Sequence, residues 1–312
     1  MYISPIKSYY GSYALASGIK TSENTNFGCK VSIPPYSLEK FLQNFYRSGA
    51  RKNLQGQCIE QNLLGKGANS EVYKFSAPSM SNWAIKIDYD KRNRVAPDFS
   101  AQLTRVEDEF PNINKGQVIA KIGDRISILK RIDAEPHSIK FWSTRRGEKN
   151  FDITKEEAEK FYDDVIKIAS FPQESFNQYA GEMKEWHDKG YKLDSFNPNN
   201  FLINYKKKQI HIIDAYKYNG ENRWNSRYDL ICPLLDYANF EQILSKLPEE
   251  KHKSLIEAGR SIFYRCTRAC QLMELPTAES NFTTFISKID EREHNKNHYF
   301  ESYQKLKSLL NI

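Results

Sequence analysis

The segment that most constrains the fold is KLDSFNPNNFLINYKKKQIHIIDA, residues 192–215. Its two apolar, β-like runs, Phe201–Ile203 and Ile210–Ile213, stand on either side of a turn that contains consecutive lysines. Such runs around a short polar turn predict a β-hairpin. Two carboxylates and an amide stand next to the open end of this hairpin, from Asp194, Asn200 and Asp214. The sequence therefore predicts that these three groups meet at one edge of a sheet.

A second hairpin is predicted around Gly65 and Gly67. These glycines lie between the β-like run Cys58–Leu64 and a strand that contains Ser70 and Val72. Two glycines one residue apart let backbone N–H groups approach a phosphate closely. An ordinary hairpin turn uses glycine in the same way, so the pair alone leaves both interpretations open.

The run Ala84–Ile87 favours a phosphate-binding loop. It predicts a strand in which apolar residues flank Lys86, and 86 − 65 = 21 positions separate this lysine from the first glycine. Burying an unpaired ammonium group is costly, so a lysine in this setting needs phosphates or a carboxylate beside it.

The carboxylate is expected from the next predicted element. Apolar residues at helical spacing predict a helix over Asp98–Phe110, and Pro111 ends it. Glu107 lies beside the apolar stripe of that helix and is predicted to pair with Lys86. Glu109 is the alternative, and for either residue a solvated surface glutamate is the competing interpretation.

Two more strands, Val118–Ile122 and Arg125–Leu129, are predicted before a linker at Lys130–Ala134. Beyond the linker the apolar spacing becomes helical. Thr154 and Glu157 form a capping box, which opens a helix with an apolar face of Ala158, Phe161, Val165 and Ile168. The further predicted helices are Glu174–Asp188 with Gly190 as its C-cap, Asn225–Phe240, Glu249–Leu275, Ile286–Asn297 and Glu301–Leu310.

Composition narrows the class of protein. A hydrophobic fraction of 39% and a charged fraction of 27% suit a globular chain. No apolar run reaches the roughly 18–20 residues that span a bilayer, and the N-terminus lacks the apolar core of a secretory signal peptide. The five cysteines are scattered without a CxxC pair, which indicates reduced thiols.

The chain carries a net charge of +7, which favours phosphate-bearing partners. No zinc finger, RNP sequence or basic leucine zipper accompanies that charge, so nucleic-acid binding is not expected. Residues 1–55 are rich in Tyr, Ser, Asn and Gly and are interpreted as a polar, partly disordered extension for secretion, targeting or partner binding. Its amphipathic piece, Ser37–Tyr46, is expected to pack on the main body or on a partner.

These features together resemble the protein-kinase-like fold, with its GxGxxGxV loop, VAIK strand, catalytic loop and metal-binding strand. The resemblance implies an α+β, bilobal fold with a small β-rich N-lobe and a helical C-lobe, and it implies ATP and Mg²⁺ as cofactors. In this family the glycine loop covers the phosphates and the strand lysine holds them, while backbone groups of the linker between the lobes, here Lys130–Ala134, hold the adenine. An aspartate accepts the substrate's proton, and an Asn–Asp pair binds the metal. The residues at the corresponding positions of this chain are Gly65, Gly67, Ser70, Val72, Lys86, Glu107, Asp194, Asn200 and Asp214.

The chain departs from the family pattern in four places. Ser70 stands where the loop has its third glycine. Lys192 and Leu193 stand where the HRD histidine and arginine would be. Asn199 has the family's spacing from Asp194, whereas Asn200 directly precedes the apolar strand; the metal is assigned to Asn200, with Asn199 left open. Asp214 is followed by Ala-Tyr in place of Phe-Gly and no APE sequence follows, so a reduced or absent activation segment is expected.

Over about residues 57–240 the pattern resembles the compact serine/threonine kinases that bacterial pathogens inject into host cells by type III secretion. That resemblance implies an effector in the host cytoplasm with a host protein substrate or activator; otherwise the chain is expected to be cytoplasmic. The implied organisation is the extension 1–55 and a kinase-like domain 56–312. Its N-lobe is 56–134, and its C-lobe is 135–312 with extra C-terminal helices.

Two alternatives remain beside the protein kinase. The first is a lipid, inositol-phosphate or other small-molecule kinase on the same fold, which the basic charge and the missing activation segment favour. The second is a kinase-like binding module or a nucleotidyl transferase. No transmembrane segment is expected, and peripheral contact with a membrane stays open.

Overall fold

In the computed structural model, the chain is described over residues 35–67, 70–90, 96–106, 118–136, 152–192, 200–213, 216–217, 229–237, 239–275 and 294–312. Antiparallel sheets dominate the first half of these residues, and helices dominate the second half. The predicted α+β class is therefore confirmed at that level. Two separate apolar cores organise the described residues, one around the largest sheet and one among the helices.

The largest sheet has six antiparallel strands in the order β1-β2-β3-β6-β5-β4. Its strands are β1 Leu63–Lys66, β2 Ser70–Lys74, β3 Trp83–Asp88, β4 Leu103–Arg105, β5 Val118–Ile122 and β6 Ile126–Lys130. The predicted glycine hairpin is β1–β2, and the lysine strand is β3. The strand predicted at Val118–Ile122 has the same bounds in the structure, and the one predicted at Arg125–Leu129 is shifted by one residue.

The predicted helix Asp98–Phe110 is wrong over its described part, because Leu103–Arg105 forms edge strand β4. Asp98 Oδ1 accepts hydrogen bonds from Ser100 N at 2.8 Å and from Ser100 Oγ at 2.6 Å. Such local bonds offer the backbone an alternative to the helix. Pairing with β5, where Leu103 lies opposite Ile122, then provides the ladder hydrogen bonds.

The predicted β-like run Cys58–Leu64 is also corrected. A short helix α2, Leu54–Gln57, and a 3₁₀ turn, Glu60–Asn62, come first, and β1 begins only at Leu63. The buried amide of Asn62 donates to the Gln57 carbonyl at 2.8 Å, which satisfies the backbone of this tight turn.

The amphipathic segment forms helix α1, Pro35–Arg47, and packs on the main body. Phe41 and Phe45 are fully buried on one face of the six-stranded sheet, in the same core as Ile85 and Ile128. Leu54 of α2 joins that core, so the described part of the predicted extension packs with the sheet. Residues 1–34 lie outside the described residues.

Arg51, in the turn after α1, joins this end of the chain to the approach of β4. Its guanidinium donates to the carbonyls of Phe99, Ser100 and Ala101 at 2.5, 3.2 and 2.7 Å. Three carbonyls around one guanidinium satisfy most of its donors. The segment before β4 is thereby held against the N-terminal helices.

The second core contains the remaining helices and two small sheets. One sheet has the order β10-β9-β7 and the other pairs β8 with β11, all antiparallel. These strands are β7 Glu135–Pro136, β8 Tyr191–Lys192, β9 Phe201–Asn204, β10 Gln209–Ile212 and β11 Tyr216–Lys217. The helices are α3 Lys155–Ala169, α4 Gln173–Asp188, α5 Cys232–Leu235, α6 Phe240–Lys246, α7 Glu249–Leu272 and α8 His294–Leu309.

The helices α3, α4 and α7 confirm the apolar periodicity of the sequence. Thr154 and Glu157 form the expected capping box, and the predicted apolar face of α3 is buried. Gly190 adopts φ +71° after α4 and donates to the His187 carbonyl at 2.9 Å, as its predicted C-cap role requires. Cys266 and Cys270 are free thiols buried on α7.

The predicted helix Asn225–Phe240 is wrong where it is described, because a single-turn helix, α5, stands between non-helical residues. The Asp229 carboxylate, which is buried, accepts from Ile231 N and Cys232 N at 2.8 and 3.2 Å and from the Tyr237 hydroxyl at 2.6 Å. Asp236 then takes a left-handed φ of 45°, which ends α5. Near the C-terminus one helix, α8, replaces the break predicted between Asn297 and Glu301.

We expect Phe45→Ala to lower the free energy of unfolding by about 3–5 kcal/mol, because it empties a fully buried site between α1 and the sheet. Urea unfolding measures this loss. The adjacent Tyr46→Ala is the control: this residue is 57% exposed, so the cost should stay below about 1 kcal/mol. Equal small losses at both positions would show that α1 does not stabilise the sheet.

Candidate functional site

Lys86 lies in the middle of the six-stranded sheet. Ile85 and Ile87 of β3 face the α1 core, so the alternation of the strand directs Lys86 to the opposite face. Its register partners on that face are Val72 of β2 and Ser127 of β6. The prediction that Lys86 stands on a strand between apolar residues is confirmed.

The Lys86 ammonium is partly shielded from solvent. Its side chain is 33% exposed, and its Nζ lies 3.8 Å from Asp88 Oδ1, a carboxylate that is 47% exposed. Such a long, half-exposed ion pair contributes little to stability. The predicted partner Glu107 and its alternative Glu109 lie outside the described residues. Within the part of the chain that is described, Asp88 is the carboxylate near Lys86.

A buried apolar pair lies beside Lys86 on the same face of the sheet. Ala84 and Leu129 lie directly opposite each other on β3 and β6 and are 3% and 8% exposed. Neither residue belongs to the α1 core or to the helical core. Both side chains are thus buried outside the two cores, on the face that carries Lys86.

Residues 131–134 connect the six-stranded sheet to the smaller sheet of the helical half. Arg131 N donates to the Asn82 carbonyl at 2.8 Å where the linker leaves β6. At the other end, β7 pairs with β9 through Glu135 opposite Ile203. The predicted linker Lys130–Ala134 is thus found in place, except that Lys130 is the last residue of β6.

The glycine hairpin is closed by pairing of Gly65 with Val72 and by a hydrogen bond of 2.8 Å from Gly67 N to the Ser70 carbonyl. Neither glycine has a positive φ. A Cβ added to Gly65 would meet nothing within 4 Å in the described structure, and one added to Gly67 would meet only the Ser70 carbonyl, at 3.7 Å. The fold itself therefore does not require glycine here, and the absent side chains leave room above the hairpin.

A charged pair fastens the two strands of this hairpin on its other face. Lys66 of β1 lies opposite Glu71 of β2, with Lys66 Nζ 2.7 Å from Glu71 Oε1. The Tyr73 hydroxyl donates to Glu71 Oε2 at 2.5 Å. These bonds, led by that of Lys66, lower the pKa of Glu71 to about 2. The sequence analysis missed this group, although Lys66 and Glu71 stand symmetrically about the predicted turn.

The hairpin β9–β10 has the predicted form, with Ile210 opposite Ile203. Asn200 precedes β9 and is 8% exposed, and its carbonyl accepts from Ile213 N at 2.8 Å. This bond closes the end of the hairpin that leads to residue 214. Asp194, Asn199 and Asp214 themselves lie outside the described residues.

A second strand pairing occurs next to the end of the β9–β10 hairpin that leads to residue 214. β8 pairs with β11 so that Lys192 lies opposite Tyr216. Lys192 stands two residues before Asp194, and Tyr216 stands two residues after Asp214. The described residues that flank both aspartates are thus brought together at two places, Lys192 with Tyr216 and Asn200 with Ile213.

A buried polar pair supports strand β10 from the helix side. Glu182 of α4 accepts weakly from Ile212 N at 3.5 Å, and its Oε1 lies 3.6 Å from Nδ1 of the buried His211. Burial raises the pKa of Glu182, and the neighbouring His211 opposes that rise. Sequence periodicity gave no signal for this pair, because Glu182 lies among the apolar residues of α4.

The described residues hold no cluster of three His, Cys, Asp or Glu side chains that could bind a metal ion. None of the described helices is both long and apolar enough to cross a membrane. Comparison of the chain with protein-family models and with curated proteins gives no match to either.

We expect Glu71→Gln to lower the free energy of unfolding at pH 7 by about 1–2 kcal/mol, since it removes a charge-assisted bond whose lysine is 65% exposed and screened by solvent. Because the folded pKa of Glu71, about 2, is below its ordinary value of 4.5, its stabilisation is present above pH 4.5. It is lost as the pH falls towards 2, so the two proteins should converge there.

Urea unfolding of both proteins between pH 7 and pH 2 measures this difference. The control is Glu39→Gln on the exposed side of α1, which should change stability by less than about 0.5 kcal/mol. A difference between the wild type and Glu71→Gln that does not depend on pH would contradict the assignment.

Proposed function

We propose that the chain is an ATP- and Mg²⁺-dependent phosphotransferase with a kinase-like bilobal fold. The observation that carries the proposal is the double pairing around the two aspartates, Lys192 with Tyr216 and Asn200 with Ile213. Consecutive Cα atoms are about 3.8 Å apart, so Asp214 is one such step from Ile213. This connectivity supports a common site for Asp194, Asn200 and Asp214.

The six-stranded sheet supplies the second half of the proposed site. Lys86 stands on the sheet face opposite α1, next to the apolar pair Ala84 and Leu129. Room above Gly65 and Gly67 suits the close approach of phosphates to backbone N–H groups. The linker 131–134 joins this sheet to β9, which supports a cleft between the two halves as the nucleotide site.

Each residue has a role in the proposed reaction. Lys86 would hold α- and β-phosphate oxygens, with Glu107 as its proposed partner. Asp194 would accept the proton of the substrate hydroxyl as the hydroxyl oxygen attacks the γ-phosphorus. The bond from the γ-phosphorus to the β–γ bridging oxygen would break, and ADP would leave with that electron pair. Mg²⁺, held by Asn200 and Asp214, would neutralise charge between the β- and γ-phosphates. Catalysis of this kind is mainly positioning and charge stabilisation.

We propose a serine/threonine protein kinase that acts as a bacterial effector on a protein in the host cytoplasm. The support for this substrate class is the sequence pattern of the glycine hairpin, the lysine strand and the β9–β10 hairpin. One observation favours a small-molecule or lipid kinase as a second candidate. Only 229 − 217 − 1 = 11 residues separate β11 from the buried Asp229, which is short for a segment that receives a peptide.

Labelled nucleotides separate the candidate activities. Purified protein with Mg²⁺ and γ-labelled ATP should label proteins in a host lysate, whereas label found only on lipids or inositol phosphates would favour the second candidate. Label transferred from α-labelled ATP would instead indicate nucleotidyl transfer. A nucleotide-induced rise in melting temperature without turnover would leave a binding module as the function.

Lys86→Ala and Asp214→Ala should each lower the rate of phosphate transfer by about 10²–10³-fold or more, because each removes a charge that stabilises the transition state. Phosphate transfer and the melting temperature should be measured together. Lys121→Ala is the matched control, because Lys121 is an exposed lysine opposite Ser127 on the same sheet face. Wild-type transfer rates in both site variants would refute the proposed site.

A further inference from the structure

The side chain of Asn204 connects two parts of the proposed site. Asn204 is the last residue of β9 and is 7% exposed. Its Nδ2 donates to the Asp133 carbonyl in the linker at 2.7 Å. Its Oδ1 accepts from Lys207 N, in the turn between β9 and β10, at 2.8 Å. One buried amide therefore holds the linker to the turn of the hairpin.

The geometry requires both ends of an amide. A side-chain amide offers donors and an acceptor on one small plane, whereas a carboxylate offers acceptors only. An aspartate at position 204 would keep the bond to Lys207 N but would place an anionic oxygen against the Asp133 carbonyl. Only the amide nitrogen of Asn204 can therefore donate to the linker.

Strand β9 transmits this contact to the metal end of the hairpin. β7 pairs with β9 through Glu135 opposite Ile203 and Pro136 opposite Leu202, so the bond to Asp133 extends that pairing towards the linker. Asn200 lies four residues before Asn204, about 13 Å away along an extended strand. Because Phe201 and Ile203 are fixed in the helical core, the strand is a rigid spacer.

We propose that Asn204 is a positioning residue that fixes the linker, where an adenine ring would bind, at a set separation from Asn200 and the metal. This inference rests on the proposed function. A nucleotide then meets an adenine half-site and a phosphate–metal half-site that are already aligned. Loss of Asn204 leaves both half-sites present but lets the linker move relative to the hairpin. The affinity for a ligand that contacts both half-sites should therefore fall most.

Binding of three probes tests this alignment: adenosine, Mg²⁺–tripolyphosphate and Mg²⁺–ATP. We expect Asn204→Ala to weaken Mg²⁺–ATP binding by about tenfold, the loss expected for one buried hydrogen bond. Binding of adenosine and of tripolyphosphate should change less than about threefold, since neither spans the two halves. In kinetics, KM for ATP should rise while kcat stays within about threefold.

Asn204→Asp is the second variant, because it retains the bond to Lys207 N and replaces the donor to the linker by an oxygen that repels the Asp133 carbonyl. It should reproduce the ATP effect even if Asn204→Ala fails to fold. Asn44→Ala is the matched control: the Asn44 amide also donates to a carbonyl, that of Ser79 at 3.2 Å, but at an exposed position on α1. It should leave the binding of all three probes unchanged.

Amide hydrogen exchange of residues 131–134 without nucleotide gives a readout that does not depend on activity. Faster exchange there in Asn204→Asp, together with the selective loss of ATP affinity, supports the proposal. Unchanged exchange, or equal losses for all three probes, overturns it. A wild-type protein that binds none of the probes removes the proposed function and this inference with it, while the exchange data still show whether Asn204 anchors the linker.

Discussion

Hydrogen bonding on both edges of β9 is the constraint on which the arrangement of the helical half depends. β9 is the central strand of its sheet, with β10 on one edge and the short β7 on the other. Phe201 and Ile203 are buried in the helical core, so the strand cannot slip in register without exposing them. The position of β9 therefore fixes the position of the linker, through β7, and those of Asn200 at one end of the strand and Asn204 at the other.

The two faces of the six-stranded sheet carry different kinds of side chain. The α1 face is filled by aromatic and branched side chains and is closed to solvent. The other face carries the partly exposed Lys86 beside the buried residues Ser127, Ala84 and Leu129, and Ala84 and Leu129 belong to neither apolar core. A sheet needs one buried face for stability, and it is free to use the other for a ligand. The proposed nucleotide cleft uses that freedom.

Local patterns predicted much of this fold. Hairpins at 63–74 and 201–212, the lysine strand, and the helices α3, α4 and α7 follow from apolar periodicity, caps and turn residues. The secondary-structure predictions fail where tertiary contacts determine the local conformation. β4 gains its ladder from β5, and α5 is cut short by the Asp229 carboxylate and a left-handed Asp236. No periodicity in the sequence reports either partner.

For the candidate site, the sequence predicted candidate functional residues but not the residues that hold them in place. Lys86 and Asn200 stand on the expected elements, whereas Glu71, Glu182 and Asn204 act through partners far away in the chain or across a turn. Asn204 and Asp133, for instance, are 204 − 133 = 71 positions apart. Such pairs become visible only when the strands have their register. Asp194, Asp214 and Glu107 stay predictions from the sequence.

The packing of α1 has a mechanical consequence. Phe41 and Phe45 pack on the same sheet whose opposite face carries Lys86, so the sheet separates the N-terminal helix from the proposed nucleotide cleft. Protein cores are dense and transmit displacement rather than absorb it. A force applied to the first 34 residues, by a tether or a bound macromolecule, would therefore pull directly on the back of the proposed nucleotide site.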